Sequence, residues 1–212
     1  MARSSSLAQP RPVFVALAGG SGSGKTWLAT ALQAQFGPSA TRLCLDDFYR
    51  DLSHRSLPQR ERVNFDHPRA IDWQTLEQVL RDALAGKTTR IPRYDFATHC
   101  RLPASAPWQP SPLVLVDGLW PQRRPSLRQL FAYRVFIECP APVRLERRLE
   151  RDMRERGRTR TSVIEQFQEE VAPMHDRFVA SQARWADLVL ASPVSPATVL
   201  EIAARLRGLL PT

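Results

Sequence analysis

The apolar positions of this chain follow two patterns. Two short unbroken runs, Val13 to Ala18 and Leu113 to Val116, have the length and composition of strands buried on both faces. Elsewhere apolar residues recur every three or four positions, as at Leu28, Ala31, Leu32 and Phe36, and again at Trp73, Leu76, Val79, Leu80 and Ala83. That spacing predicts helices over Thr26 to Phe36 and from Asp72, a capping residue, to Ala85; Gly37-Pro38 and Gly86 stop them. Shorter strands are expected at Arg42 to Leu45, Arg134 to Ile137 and Leu188 to Leu190. Further helices are expected at Ser126 to Phe131, Pro142 to Glu155, Thr161 to Val179 with a kink or break at Pro173, and Val199 to Leu210. Within Pro142 to Glu155, the predicted inner stripe is Leu145, Leu149 and Met153, with Arg144, Arg147, Arg148 and Arg151 around the rest and Glu150 paired to Arg154 at the surface.

Strands alternating with helices predict an α/β fold with a parallel sheet covered on both faces. Met1 to Pro12 lacks periodicity and reads as a disordered tail, which leaves 13–212 as one domain. Leu52 to Val63 is polar and reads as mobile, and Asn64 to Pro68 as a turn. Lys87 to Trp108, with prolines at 92, 103 and 107, reads as a small β-hairpin lobe.

Composition narrows the classes. Thirty Lys and Arg against 21 Asp and Glu give a net charge of +9, but the late cluster from Arg144 to Arg160 lacks the interleaved aromatics of a nucleic-acid stripe. A polyanionic small substrate accounts for it, so no nucleic-acid partner is expected. Three widely separated cysteines indicate a reducing, cytoplasmic setting. No run is long enough to span a membrane, and Ala16-Leu17-Ala18 only faintly imitates a signal-peptide cleavage site, so neither membrane nor export is expected.

The chemistry begins where the first apolar run breaks into GGSGSGKT. This is the G-x-x-x-x-G-K-[ST] phosphate loop, with a strand before it and a helix after it. Gly19, Gly20, Ser21, Gly22, Ser23 and Gly24 let backbone N–H groups converge on phosphate oxygens, Lys25 reaches the terminal phosphates, and Thr26 offers a hydroxyl to Mg²⁺. Asp46 and Asp47 follow the second predicted strand; alternation aims only one of them at the phosphates, where a carboxylate can take a proton from an attacking hydroxyl. Asp117, at the end of the third strand, is placed to meet Mg²⁺ directly or through water. Arg156-Gly157-Arg158 reads as the pivot of an arginine-rich lid.

Taken together, GGSGSGKT, DDFY at 46–49, NFDHP at 64–68, YDFATH at 94–99, RRLERDMRERGR at 147–158 and PMHDRF at 173–178 resemble the uridine-cytidine kinases, within the wider group that includes phosphoribulokinase. The motifs run in the family's order from Val13 to Leu190. The resemblance implies a phosphate-loop kinase fold with a hairpin lobe over the acceptor, and transfer of a phosphoryl group from ATP or GTP, with Mg²⁺, to the 5′-hydroxyl of uridine or cytidine. It implies Asp46 as general base and Thr26, Asp46 and Asp117 around Mg²⁺. Asp66 and Arg148 match contacts to the ribose hydroxyls, Tyr94 and His99 to the pyrimidine, and Arg158 and Gln166 to the nucleoside. Arg151 and Arg156 match phosphate-facing lid arginines, and Phe65 and Phe96 match the pocket wall. Family members are often tetramers, so a homo-oligomer stays open. Asp117 stands where the family commonly has Glu. Ala191 to Ser195 lacks the acidic residue often placed near adenine. Two rivals remain: a kinase of the same group acting on a sugar phosphate or vitamin precursor, and a phosphate-loop switch or nucleic-acid-stimulated ATPase.

Overall fold

The computed structural model describes residues 11–103 and 107–211. The disordered-tail reading therefore lies, apart from Arg11 and Pro12, outside the described residues. Its centre is a five-stranded parallel sheet made of β1 (Val13–Gly19), β2 (Ala40–Cys44), β3 (Leu113–Gly118), β4 (Phe131–Glu138) and β5 (Leu188–Ala191), in the order β2-β3-β1-β4-β5. β1 lies between β3 and β4, so the chain order reverses beside it; in open α/β sheets such a crevice, at the carboxyl ends of the strands, receives the ligand.

The unbroken apolar runs become the central strands because both of their faces are covered. Phe14, Ala16, Val114 and Val116 meet Leu76, Val79 and Leu80 of the helix Trp73–Leu84 on one face. Val15, Leu17, Leu113 and Leu115 meet Leu28 and Leu32 of α1 (Lys25–Phe36) and residues of the C-terminal helix Pro196–Arg207 on the other. We number Trp73–Leu84 as α2. Asp72 caps it, accepting from the Thr75 N–H at 3.2 Å and the Thr75 hydroxyl at 2.7 Å. Then come α3 (Ala141–Arg156), α4 (Arg160–Gln166) and α5 (Pro196–Arg207).

Several sequence expectations are corrected. β2 ends at Cys44, and Leu45–Phe48 tightens into a 3₁₀ turn, so strand alternation does not govern Asp46 and Asp47. The stretch 52–63 holds a helical turn, Leu57–Glu61, closed by a capping box between Ser56 and Gln59. The helix expected to end at Phe131 stops at Arg128, and Phe131 opens β4. Pro173 does not break its helix: the backbone widens to i→i+5 turns over Phe167–Val171 and His175–Val179, which accommodate the missing N–H, and stays helical to Trp185.

The largest correction concerns α3. Its buried positions are Arg144, Arg148 and Asp152, while Leu145 and Leu149 are half-buried and Met153 is 46% exposed. The helix turns a charged stripe inward because what it covers is the polar phosphate loop, and it leaves its apolar stripe at the side. The Glu150–Arg154 pair forms at the surface as expected, at 3.7 Å. The hairpin lobe consists of two minimal antiparallel ladders, Thr89–Arg90 with Pro107–Trp108 and Tyr94–Asp95 with Cys100–Arg101.

Candidate active site

The phosphate loop leaves β1 and enters α1. Gly22 and Gly24 have φ of +81° and +98°, a region costly to any residue with a Cβ. A Cβ on Gly22 would lie 2.7 Å from the Arg144 carbonyl oxygen, and one on Gly20 2.8 Å from His175 Nδ1. The loop is thus pressed against α3 and the widened helix, and glycine is required by close approach as well as by φ. Lys25 opens α1 and is buried; its Nζ donates to the Gly20 carbonyl at 2.8 Å. Burial lowers its pKa, against the pull of Asp46 and Asp117.

The turn after β2 directs Asp46 into the cavity and Asp47 to the backbone of Tyr94. Asp46 Oδ1 is shielded from solvent and has no hydrogen-bond partner. Burial pushes this carboxyl up to about 6; Lys25 draws it back down, and the Asp117 and Asp66 charges add to the rise. Asp117, buried at the end of β3, accepts from Thr26 Oγ1 at 3.3 Å and from Arg42 Nε and Nη2 at 2.7 and 3.1 Å. Arg42 was not singled out from the sequence; it sat in a stretch read only as a strand.

Among the described residues, no three His, Cys, Asp or Glu side chains form a cage for a metal ion. The convergent groups are instead a hydroxyl and two carboxylates, one of them with an unpartnered oxygen. Such a hard, incomplete oxygen set fits Mg²⁺, which takes one or two carboxylates together with substrate phosphates and water.

α3 supplies the second wall. Asp152, fully buried, is contacted by Arg151 at 2.8 Å, Arg148 at 3.4 Å and Arg156 at 3.6 Å. Burial alone would raise its carboxyl, but the Arg151 hydrogen bond and the other guanidinium charges hold it below the usual range. Arg148 also donates to Ser21 Oγ at 2.7 Å and to Gln166 at 3.0 Å, and Arg158 joins the same Gln166 oxygen. Arg147 reaches the Gly22 carbonyl at 3.1 Å and Ser192 Oγ at 2.8 Å. Gly157, at φ +62°, closes the helix, and Arg156 lies over the Phe96 ring at 5.6 Å.

The far wall is aromatic. Phe65 and His99 stack with centroids 4.8 Å apart and planes 16° apart, while Tyr49, Tyr94 and Phe96 meet edge to face. His99 sits at φ +54°, rare for a residue with a side chain, at the end of a loop that Asp95 shapes by accepting from the Ala97 N–H and the Thr98 hydroxyl. Burial lowers the pKa of His99. Asp66 lies beside this wall; burial raises its carboxyl, and Arg148 foremost among the nearby cations draws it back. Arg101 anchors the lobe: it donates to the Tyr49 carbonyl at 2.8 Å and pairs with Asp72 at 3.1 Å.

These walls enclose one cavity of about 1040 Å³. Of the residues singled out from the sequence, the cavity brings together Ser21, Gly22, Gly24, Lys25, Thr26, Asp46 and Asp117 at one end. Phe65, Asp66, Tyr94, Phe96, His99, Arg148, Arg151, Arg156, Arg158 and Gln166 also line it. Gly19, Gly20 and Ser23 do not line it and lie behind the loop surface, against Ile137, Arg144 and His175. Arg42, Tyr49, Glu61 and Arg147 line it as well. Arg42 and Glu61 lie in segments whose pattern reads equally well as ordinary strand or turn, whereas Tyr49 and Arg147 stand in the motifs DDFY and RRLERDMRERGR without a role of their own there.

Comparison with known proteins gives the family and the fold. The sequence model of the Phosphoribulokinase / Uridine kinase family matches residues 14–198. The chain is 41% identical over 182 residues to a uridine kinase of Chloroflexus aggregans, covering 85% of this chain and 87% of that protein. It is 36% identical over 181 residues to a uridine kinase of Clostridium perfringens, with the same coverage. Its fold is similar to that of phosphoribulokinase from Rhodobacter spheroides, with a TM-score of 0.63 at 15% identity over 89% of this chain and 74% of that one.

Proposed function

The chain belongs to the phosphoribulokinase/uridine kinase family, and we propose that it phosphorylates the 5′-hydroxyl of uridine or cytidine, with ATP or GTP as donor and Mg²⁺ as cofactor. The observation that carries the reading is Asp46 Oδ1: a shielded, unpartnered carboxylate oxygen in the same cavity as the phosphate loop and the aromatic wall. Asp46 accepts the proton of the attacking hydroxyl. Lys25 and the loop N–H groups bind the phosphates, and Arg151 and Arg156 meet charge as it spreads over the transferring group. Thr26, Asp46 and Asp117 would hold Mg²⁺, which would supply positive charge toward the phosphate oxygens.

At the other end, Asp66 and Arg148 hold the paired ribose hydroxyls, and Arg158 and Gln166 add further nucleoside contacts. Phe65 and Phe96 wall the base. Tyr94 and His99 read its edge, and an imidazole that donates at one nitrogen and accepts at the other tolerates either pyrimidine. The partner is a small nucleoside. Among the described residues no helix is long and apolar enough to cross a membrane.

The test is release of ADP by purified protein with ATP and Mg²⁺, supplied separately with uridine, cytidine, a deoxynucleoside, ribulose 5-phosphate and pantothenate. Release with uridine or cytidine alone is expected. Release with a sugar phosphate or pantothenate instead would move the acceptor assignment to the rival kinases, and ATP hydrolysis stimulated by nucleic acid would move it to an ATPase.

A further inference from the structure

Arg42 lies on β2, at the edge of the sheet, two residues before Cys44, which is in register with Asp117 of β3. Its guanidinium reaches along the sheet and takes both oxygens of Asp117, Nε on Oδ1 at 2.7 Å and Nη2 on Oδ2 at 3.1 Å. The same Nη2 lies 3.4 Å from Thr26 Oγ1. A guanidinium, charged at every pH the protein meets, therefore stands among the hydroxyl and carboxylate that the proposed function gives to the divalent ion. The carboxylate is buried, at 3% side-chain exposure, while Arg42 is 29% exposed and reaches the site from the open side.

We propose that Arg42 tunes the divalent-ion site by competing for Asp117, so that this chain binds the ion more weakly than its oxygen donors alone would allow. Two physical effects act in the same direction. A carboxylate has about four lone-pair positions; Arg42 uses one on each oxygen, and Thr26 donates to Oδ2. In addition, a fixed positive charge beside the site repels a second cation. Asp117 is one methylene shorter than the Glu the resemblance leads one to expect, and the bidentate clamp further limits how far it can reach.

The inference rests on the kinase reading, so its test uses a readout that needs no acceptor. Free Mn²⁺ is measured by electron paramagnetic resonance while the protein, saturated with a non-hydrolysable ATP analogue, is titrated with Mn²⁺. Arg42→Gln and Arg42→Met, which remove the charge at similar length, are expected to bind Mn²⁺ about tenfold more tightly than the unsubstituted chain. Arg42→Lys, which keeps the charge but not the two-pronged grip on Asp117, is expected to fall between the unsubstituted chain and the neutral variants. The gain should be smaller in Asp117→Asn/Arg42→Gln compared with Asp117→Asn alone, because the part due to competition for that carboxylate is then lost and only the relief of charge repulsion remains. Unchanged or weaker Mn²⁺ binding in the neutral variants would overturn the proposal and make Arg42 a residue that merely aims Asp117. If the unsubstituted chain and every variant failed to retain Mn²⁺ with the nucleotide analogue, the phosphate-site reading would fall, and this proposal with it. A tuned ion affinity without nucleoside phosphorylation would contradict only the acceptor assignment.

Discussion

The two ends of the cavity are built from different materials. At the phosphate end, one continuous segment from β1 into α1 does most of the work with backbone: glycines at φ +81° and +98°, a helix N-terminus, and a lysine bonded to its own loop. At the acceptor end, side chains from separate segments, Phe65-Asp66, the loop from Tyr94 to His99, α3 and Gln166, converge on one space. Backbone geometry tolerates almost no substitution and is indifferent to what the phosphate is attached to. Side-chain geometry can be changed residue by residue, and it decides which hydroxyl is presented. A fold of this kind can keep its donor chemistry while its acceptor changes.

That contrast can be broken at its joint. Asp46 stands at the phosphate end but acts on the hydroxyl that the acceptor end presents, so Asp46→Asn is expected to lower turnover by about 10²- to 10⁴-fold while leaving nucleoside affinity within a few-fold, as read by steady-state kinetics and calorimetry. Turnover near that of the unsubstituted chain would remove Asp46 from the role of base. Next in size is the phosphate end itself. Gly22→Ala forces a Cβ to 2.7 Å from the Arg144 carbonyl at positive φ, so a loss of about 2–3 kcal/mol in unfolding free energy is expected. Gly86, also at positive φ but with open space around it, should lose only about 1 kcal/mol as alanine. Equal losses would show that close approach to α3 does not constrain the loop.

Asp66→Ala sharpens the contrast from the acceptor side. It is expected to raise KM for the nucleoside about 10- to 100-fold with KM for ATP little changed, and an unaltered nucleoside KM would remove Asp66 from the ribose site.

The smallest effect is a pH dependence beneath the phosphate loop. Burial, with Arg144 and Lys25 nearby and Asp176 opposing them, lowers His175 to about 4. A depressed folded-state value gives stability that is present above the unfolded-state pKa and is lost as pH falls toward the folded one. Between pH 7 and pH 5 this histidine should therefore cost the fold about 1–2 kcal/mol, read as urea-unfolding free energy. His175→Gln should flatten that part of the curve, and an unchanged slope would assign it to other groups.

The sequence exposed these two ends unequally, for physical reasons. β1, α1 and α2 were legible to within a residue or so, because parallel strands buried on both faces are unbroken apolar runs and Asp72 is a cap with a local partner. The inward face of α3 was misread, because helical periodicity equates buried with apolar and here the helix covers a polar loop. A signal was nonetheless present: Arg144, Arg148, Asp152 and Arg156 stand four residues apart on one face, and the carboxylate in that row serves Arg148 and Arg156 within it and Arg151 beside it. Arg42 was illegible for a different reason. Its partner is 75 positions away and becomes a neighbour only when β2 and β3 pair in register. The acceptor residues came from motif resemblance rather than periodicity, since two-residue ladders carry no pattern of their own.

The most direct measurement is phosphorus NMR of the product formed from ATP and uridine by the purified protein with Mg²⁺. The expected result is a monoester resonance coupled to the ribose 5′ protons, appearing as ADP accumulates and absent with Asp46→Asn. Phosphate released as the free inorganic ion, or attached to any other hydroxyl, would contradict the account.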